Sequence, residues 1–233
     1  MNVSVAGQKR LVVVGATGMV GGYSLRYALN HPAVGRVTSI GRRKLGISHP
    51  KLTEVLHPDF ADCSALSQVV SGQAAAIFCL GTYTGSVSDA ELRKITVDYV
   101  VEFARVLYRS SPDAAFSFLS GNGADQTGQS RMAFARYKGE AEKALLGRVS
   151  PMFISSGLLT YPVEPRKEPN LSYRLLRAIY PAFRMLFPNQ VIPTDDLAHA
   201  MVDVTIQETR ETGGKVFENR DIRALAASPD TAR

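Results

Sequence analysis

The chain has 233 residues, 45% of them apolar and 21% charged, with no Trp, two Cys and a formal charge of +6. That length suits one large α/β domain and suffices for a real core. The composition excludes collagen-like, coiled-coil and wholly disordered chains. Two Cys far from any C-x-x-C spacing exclude a disulfide scaffold and a Cys-based zinc module. Cys63 and Cys79 read as reduced thiols of a cytoplasmic protein. The stretch Met1 to Arg10 lacks an apolar core, so no signal peptide is expected there. No apolar run nears the roughly 20 residues of a membrane span. The charge leaves nucleic acid, an anionic membrane surface and a phosphorylated small ligand open as partners.

Strands and helices alternate from the start. Arg10 to Gly15 is a β-branched run of the kind buried on both faces of a sheet. Met19 to Asn30 is a predicted helix, stopped by His31-Pro32. Strands follow at Val37 to Ile40 and Leu52 to Leu56, then a short helical stretch at Ala65 to Val70 and a buried strand at Ala74 to Leu80. Asp89 to Tyr108 is a long helix with Val97, Val100, Val101, Ala104 and Leu107 on one side. Ala115 to Leu119 is a strand, Arg131 to Leu146 a helix and Met152 to Ser155 a strand. A capped helix from Thr194 to about Thr209 and a last strand at Lys215 to Glu218 complete the pattern. Strands separated by helical segments imply right-handed crossovers, hence a doubly wound α/β fold with a parallel sheet. The whole of 1–233 reads as a single domain. Within it 160–193 holds six of the 12 prolines and reads as an elaborated segment over the substrate pocket.

The first strand runs into Gly15-Ala-Thr17-Gly18-Met19-Val20-Gly21. Gly15 permits a tight turn, Gly18 lets the backbone approach a pyrophosphate, and Gly21 lets helix and strand pack closely. The helix N-terminus, with Thr17, Met19 and Val20, then offers N–H groups to phosphate. About 20 residues on, where an acid would bind ribose hydroxyls, stand Arg42, Arg43 and Lys44. Three cations suit a 2′-phosphate, which Arg42 could grip with two parallel hydrogen bonds, so the expected cofactor is NADP(H). Asp59 and Phe60 are expected to flank the adenine, and Leu80, Gly81 and Thr82 to line the ribose.

Together with Leu119 to Asp125 and Lys138 to Glu142, these segments resemble the atypical short-chain dehydrogenases/reductases, in particular the Tat-interacting-protein oxidoreductase and nucleoside-diphosphate-sugar epimerase-like branch. The resemblance covers about Arg10 to Leu225. It implies a Rossmann-type NAD(P)-binding fold with a small C-terminal substrate-facing segment. It assigns Lys138 as the lysine that lowers a tyrosine pKa and holds the cofactor ribose, and Gly157 to the cofactor site after the sixth strand. The family places the catalytic Tyr four residues before that lysine, and here stands Phe134. The family's Ser-Ser is Ser120-Gly121, and its Arg-Pro-Gly is Ser155-Ser156-Gly157. Two readings follow: an oxidoreductase on a small carbonyl or hydroxyl substrate with Ser120, Tyr137, Tyr83 or Asn122 as proton donor, or an NADP(H) binder without turnover that serves as redox sensor or scaffold.

A basic amphipathic pattern runs over Tyr173 to Phe187, divided by Pro181. It suits helices covering a pocket, and a peripheral membrane or partner-binding protein is the third reading. None of the four His has metal-ligand spacing, so no metal is expected; His199 reads as structural. The remaining partner expectations are a small-molecule substrate, no nucleic acid, no integral membrane segment and a homodimer as one open arrangement.

Overall fold

A computed structural model of the protein describes residues 7–82, 84–146, 152–156, 159–161, 191–207 and 216–226. Its main sheet has seven strands: β1 (Lys9–Val14), β2 (Val34–Gly41), β3 (Leu52–Leu56), β4 (Ala75–Phe78), β5 (Ala115–Gly121), β6 (Met152–Ser156) and β9 (Val216–Phe217). They lie in the order β3-β2-β1-β4-β5-β6-β9, and every adjacent pair is parallel. A second, two-stranded sheet pairs β7 (Leu159–Tyr161) with β8 (Val191–Pro193). The sequence pattern gives no sign of that pair, because each strand is three residues long and too short for a period to register.

The strands are parallel because helices carry the chain back across the sheet. β1 is buried on both faces: Val12 and Val14 enter one core, Leu11 and Val13 the other. On the first face α3 (Tyr99–Ser110) and α4 (Ala133–Leu146) pack through Val100, Phe103, Leu107, Ala141 and Leu145. Its centre is a chain of aromatic rings. Phe78 lies 6.3 Å from Phe60, 5.6 Å from Phe103 and 6.4 Å from Phe118 by ring centroids. Each buried Phe contributes about 1.5–3 kcal/mol. On the second face α1 (Met19–Asn30) and α5 (Thr194–Gln207) pack through Leu25, Ala28, Leu197 and Met201. A short α6 (Asn219–Ala226) adds Ile222 to this core.

The observed ends differ from the expected ones where caps and packing decide. The predicted stretch 65–70 narrows to one 3₁₀ turn, Ser64–Leu66. The predicted helix 89–108 becomes α2 (Asp89–Arg93), a π-helical turn at Lys94–Asp98, and α3. Ser88 starts it by accepting a hydrogen bond from the N–H of Glu91. The predicted segments 162–190, including the basic pattern over 173–187, lie outside the described residues.

At the amino end of the sheet α1 and α5 are clamped by polar groups. The Tyr27 ring stacks on His199 at 4.0 Å, and its hydroxyl donates to Asp203 Oδ2 at 3.1 Å. His31 Nε2 lies 3.3 Å from Asp203 Oδ1. Burial pushes the Asp203 carboxyl up, against the pull of Tyr27 and the two histidines. A carboxyl that binds its proton more tightly when folded stabilises most below its ordinary value of 3.8, and that contribution drains away as pH rises through the elevated value. Urea titrations across pH should therefore show an excess of wild-type over Asp203→Asn stability that shrinks from about pH 4 upward; a difference independent of pH would refute this assignment.

Candidate functional site

The strand order reverses between β1 and its neighbours β2 and β4, which makes the carboxyl ends of β1 and β4 the switch point of the fold. Two loops meet there. Gly15 has φ +86°, and a Cβ on it would lie 2.7 Å from the Leu80 nitrogen. The turn after β1 thus lies directly against the Leu80-Gly81-Thr82 segment after β4. Gly18 precedes α1 and its N–H donates to the Gly15 carbonyl at 2.9 Å. A Cβ on Gly21 would collide with that same carbonyl, so helix and turn approach as closely as backbone allows. α1 carries no acidic residue in its first turn and no side-chain cap, so nothing of its own competes for an anion at Thr17, Met19 and Val20.

At the end of β2, Arg42, Arg43 and Lys44 are all exposed. The turn they form is held to β3 where the Leu45 N–H donates to Glu54 Oε2 at 2.8 Å. Asp59 is exposed after β3, one oxygen accepting from the Ala61 N–H at 2.9 Å. Phe60 departs from expectation. Its side chain is fully buried among Phe78, Tyr99 and His57, so it supports the turn from inside and offers no surface to an adenine. Leu80 is buried, Gly81 exposed and Thr82 partly exposed, the Thr82 and Ser86 hydroxyls lying 3.0 Å apart. Gly157 and Tyr83 lie outside the described residues.

The other half of the site is the junction of β5 with α4. The loop between them folds around Asp125, whose carboxylate accepts from Thr127 and from the Ser130 N–H. Gly139 allows this loop to lie on the helix, since a Cβ there would collide with the Asp125 carbonyl. Lys138 faces the sheet. Its Nζ donates to the Leu119 carbonyl at 2.7 Å and sits 4.3 Å from the Phe118 ring centroid and 5.9 Å from that of Phe134. Burial lowers Lys138 to about 8, while the Glu142 carboxylate acts in the opposite sense. Burial also pushes the Cys79 thiol up to about 12, so it is neutral beside the lysine.

The expected hydroxyls point elsewhere. Ser120 is 2% exposed and its Oγ donates to Glu142 Oε1 at 2.5 Å, while Gln126 Nε2 donates to Oε2 at 2.8 Å. Tyr137 donates to Asp89 Oδ2 at 2.5 Å, toward α2, and that bond pushes its phenol up. The Ser120 hydroxyl thus engages a buried carboxylate, and that of Tyr137 is turned about 100° away from Lys138 by helix geometry. Asn122 is exposed on the loop after β5. Between these groups lies an apolar contact. A Cβ on Gly121 would stand 2.6 Å from Cε1 and Cζ of Phe134, so the phenyl ring occupies the space a serine side chain would need. Sequence reasoning noted both departures and missed that they are one contact. It also missed Glu142, whose signal is a carboxylate one turn after Lys138 on the face that carries Ala135, Ala141 and Leu145.

No family model matches the chain. It is 31% identical over 157 residues to the mitochondrial protein fmp52 of Emericella nidulans, covering 64% of this chain and 66% of that one. It is 29% identical over 136 residues to the protein HTATIP2 of Rattus norvegicus, covering 58% of this chain and 55% of that one. The alignments therefore span between about half and two thirds of these relatives. Among solved structures, the Bordetella bronchiseptica enzyme WbmG in complex with NAD matches with TM-score 0.65 at 13% identity, over 97% of this chain and 81% of that one. The doubly wound, Rossmann-type α/β fold and the resemblance to the Tat-interacting-protein branch are borne out. The cytoplasmic expectation is corrected, because the fmp52 relatives are named as mitochondrial proteins. Reduced thiols separate reducing from oxidising compartments and do not single out the cytosol.

Restoring the serine alone should be costly. Gly121→Ser forces the Phe134 ring aside and should lower stability by about 1–3 kcal/mol, measured by urea unfolding. Adding Phe134→Ala to Gly121→Ser should recover most of that loss, and additive effects in the double-mutant cycle would show that the two sites are independent.

Proposed function

We propose that this protein, a relative of the fmp52 and HTATIP2 proteins among the atypical short-chain dehydrogenases/reductases, binds NADP(H) across the switch-point crevice as an oxidoreductase of a small carbonyl or hydroxyl compound. The observation that carries the reading is one junction: a glycine corner with no room for a side chain, an uncapped helix start, and three exposed cations on the next strand end. The residues fit the group. Gly15, Thr17, Gly18, Met19, Val20 and Gly21 would hold the pyrophosphate. Arg42 would clamp the 2′-phosphate with Arg43 and Lys44 beside it. Asp59 would stand at the adenine, Leu80, Gly81 and Thr82 at the ribose, and Lys138 at the nicotinamide ribose. When bound, the cofactor supplies or accepts a hydride. The chain acts as a single domain in which 160–193 would cover the substrate.

A second reading, an NADP(H)-binding redox sensor or scaffold, is favoured by the Phe134–Gly121 contact and by the engagement of the Ser120 and Tyr137 hydroxyls. Loss of a positioned general acid costs about 10²–10⁴-fold in rate. A sensor needs only the affinity, and the cofactor half of the site is complete without the missing tyrosine.

Arg42→Ala should weaken NADPH binding by about 10- to 100-fold, the worth of a charge-assisted hydrogen bond, and leave NADH binding unchanged. Fluorescence titration with both dinucleotides reads this directly. Equal losses for the two, or none, would overturn the 2′-phosphate clamp. NADPH consumption with a panel of small aldehydes and ketones separates an oxidoreductase from a sensor that binds without turnover.

A further inference from the structure

Lys138 is buried, and burial disfavours its charge. The Phe118 ring centroid lies 4.3 Å from its Nζ and that of Phe134 5.9 Å away, and the Nζ donates to the neutral Leu119 carbonyl. A tyrosine four residues earlier would have placed a titratable phenol beside it, and Phe134 places none. Two titratable groups face the ammonium: Cys79 from the end of β4 and Glu142 from its own helix. The Cys79 thiol is held neutral by burial. The remaining charge is Glu142, 4% exposed, one turn along the same face of α4.

Glu142 is held in place by a small network of donors. Ser120 reaches it from β5 and Gln126 from the loop that crosses α4, one on each carboxylate oxygen. A carboxylate so buried stays ionised only where donors satisfy it. Ser120 is thus diverted from the site to anchor a negative charge behind the lysine.

We infer that Glu142 is a positioning residue, the buried counter-charge that keeps Lys138 protonated and so sets the upper pH limit at which the lysine can hold an anionic dinucleotide. The inference rests on the proposed role of Lys138 only for its second half. The first half concerns two side chains of this chain and is testable in the cofactor-free protein.

The test is a titration of the Lys138 side chain by NMR in isotopically lysine-labelled protein, from about pH 6 to about pH 10, with the resonance assigned by its loss in Lys138→Arg. In wild type the inflection should fall near 8. In Glu142→Gln, which keeps the shape and removes the charge, it should move down by about one pH unit. Glu142→Asp, which keeps the charge, should return it toward wild type, and Ser120→Ala, which leaves Gln126 as a donor to the carboxylate, should move it less than Glu142→Gln does. An inflection in Glu142→Gln that matches wild type overturns the inference, whatever the cofactor does. NADPH affinity across the same range should fall as Lys138 loses its proton, and do so at lower pH in Glu142→Gln. A protein that shows the lysine shift but binds no NADPH would sink the proposed function and leave the Glu142–Lys138 coupling standing.

Discussion

The fold depends on how closely backbone can approach backbone at the first β–α corner. Gly15 takes a conformation with positive φ against the Leu80 segment, and Gly21 brings the first helix down onto the Gly15 carbonyl. Those two contacts fix where α1 starts, and so where its N–H groups point relative to the carboxyl ends of β1 and β4. The phosphate site proposed for the crevice follows from that placement. The helix dipole and the free first turn are generic, whereas their aim is not. Side chains of any size at 15 or 21 would lift the helix and open the switch point.

The two halves of the site are built on different principles. The half proposed for the cofactor is backbone and exposed charge, at the rim of the sheet, with little buried polarity to satisfy. The half around β5 and α4 is the reverse. There a lysine beside Phe118 and Phe134, a carboxylate and a serine are buried together, and the amide of the exposed Gln126 meets the carboxylate. Buried polar groups of this kind are costly when half-satisfied, and each of these four has a partner. The serine and the tyrosine that sequence reasoning offered as donors are partners in such contacts, with their hydroxyls committed elsewhere.

Much of the fold was legible because it rests on local patterns. β1 declares itself by a run of valines, α1 by its period and by the His31-Pro32 stop, and the phosphate corner by three glycines at fixed spacing. Arg42 to Lys44 were legible as well, since a strand end after a known turn places them. Direction was harder. Phe60 follows an exposed Asp59 and gives no sign that its ring turns inward to Phe78. Ser120 gives none that a carboxylate 22 residues away will take its proton donor. Such facts depend on which elements meet in space, and that information is spread over distant positions.

The contact between Phe134 and Gly121 bears on how this sequence could change. The ring fills the space a serine would use, so the two positions are not independent letters. Changing the two positions one at a time is easier in one order than in the other. The aromatic side chain must leave or shift before anything larger than hydrogen can stand at 121. Position 121 is therefore held by packing against a residue 13 places away.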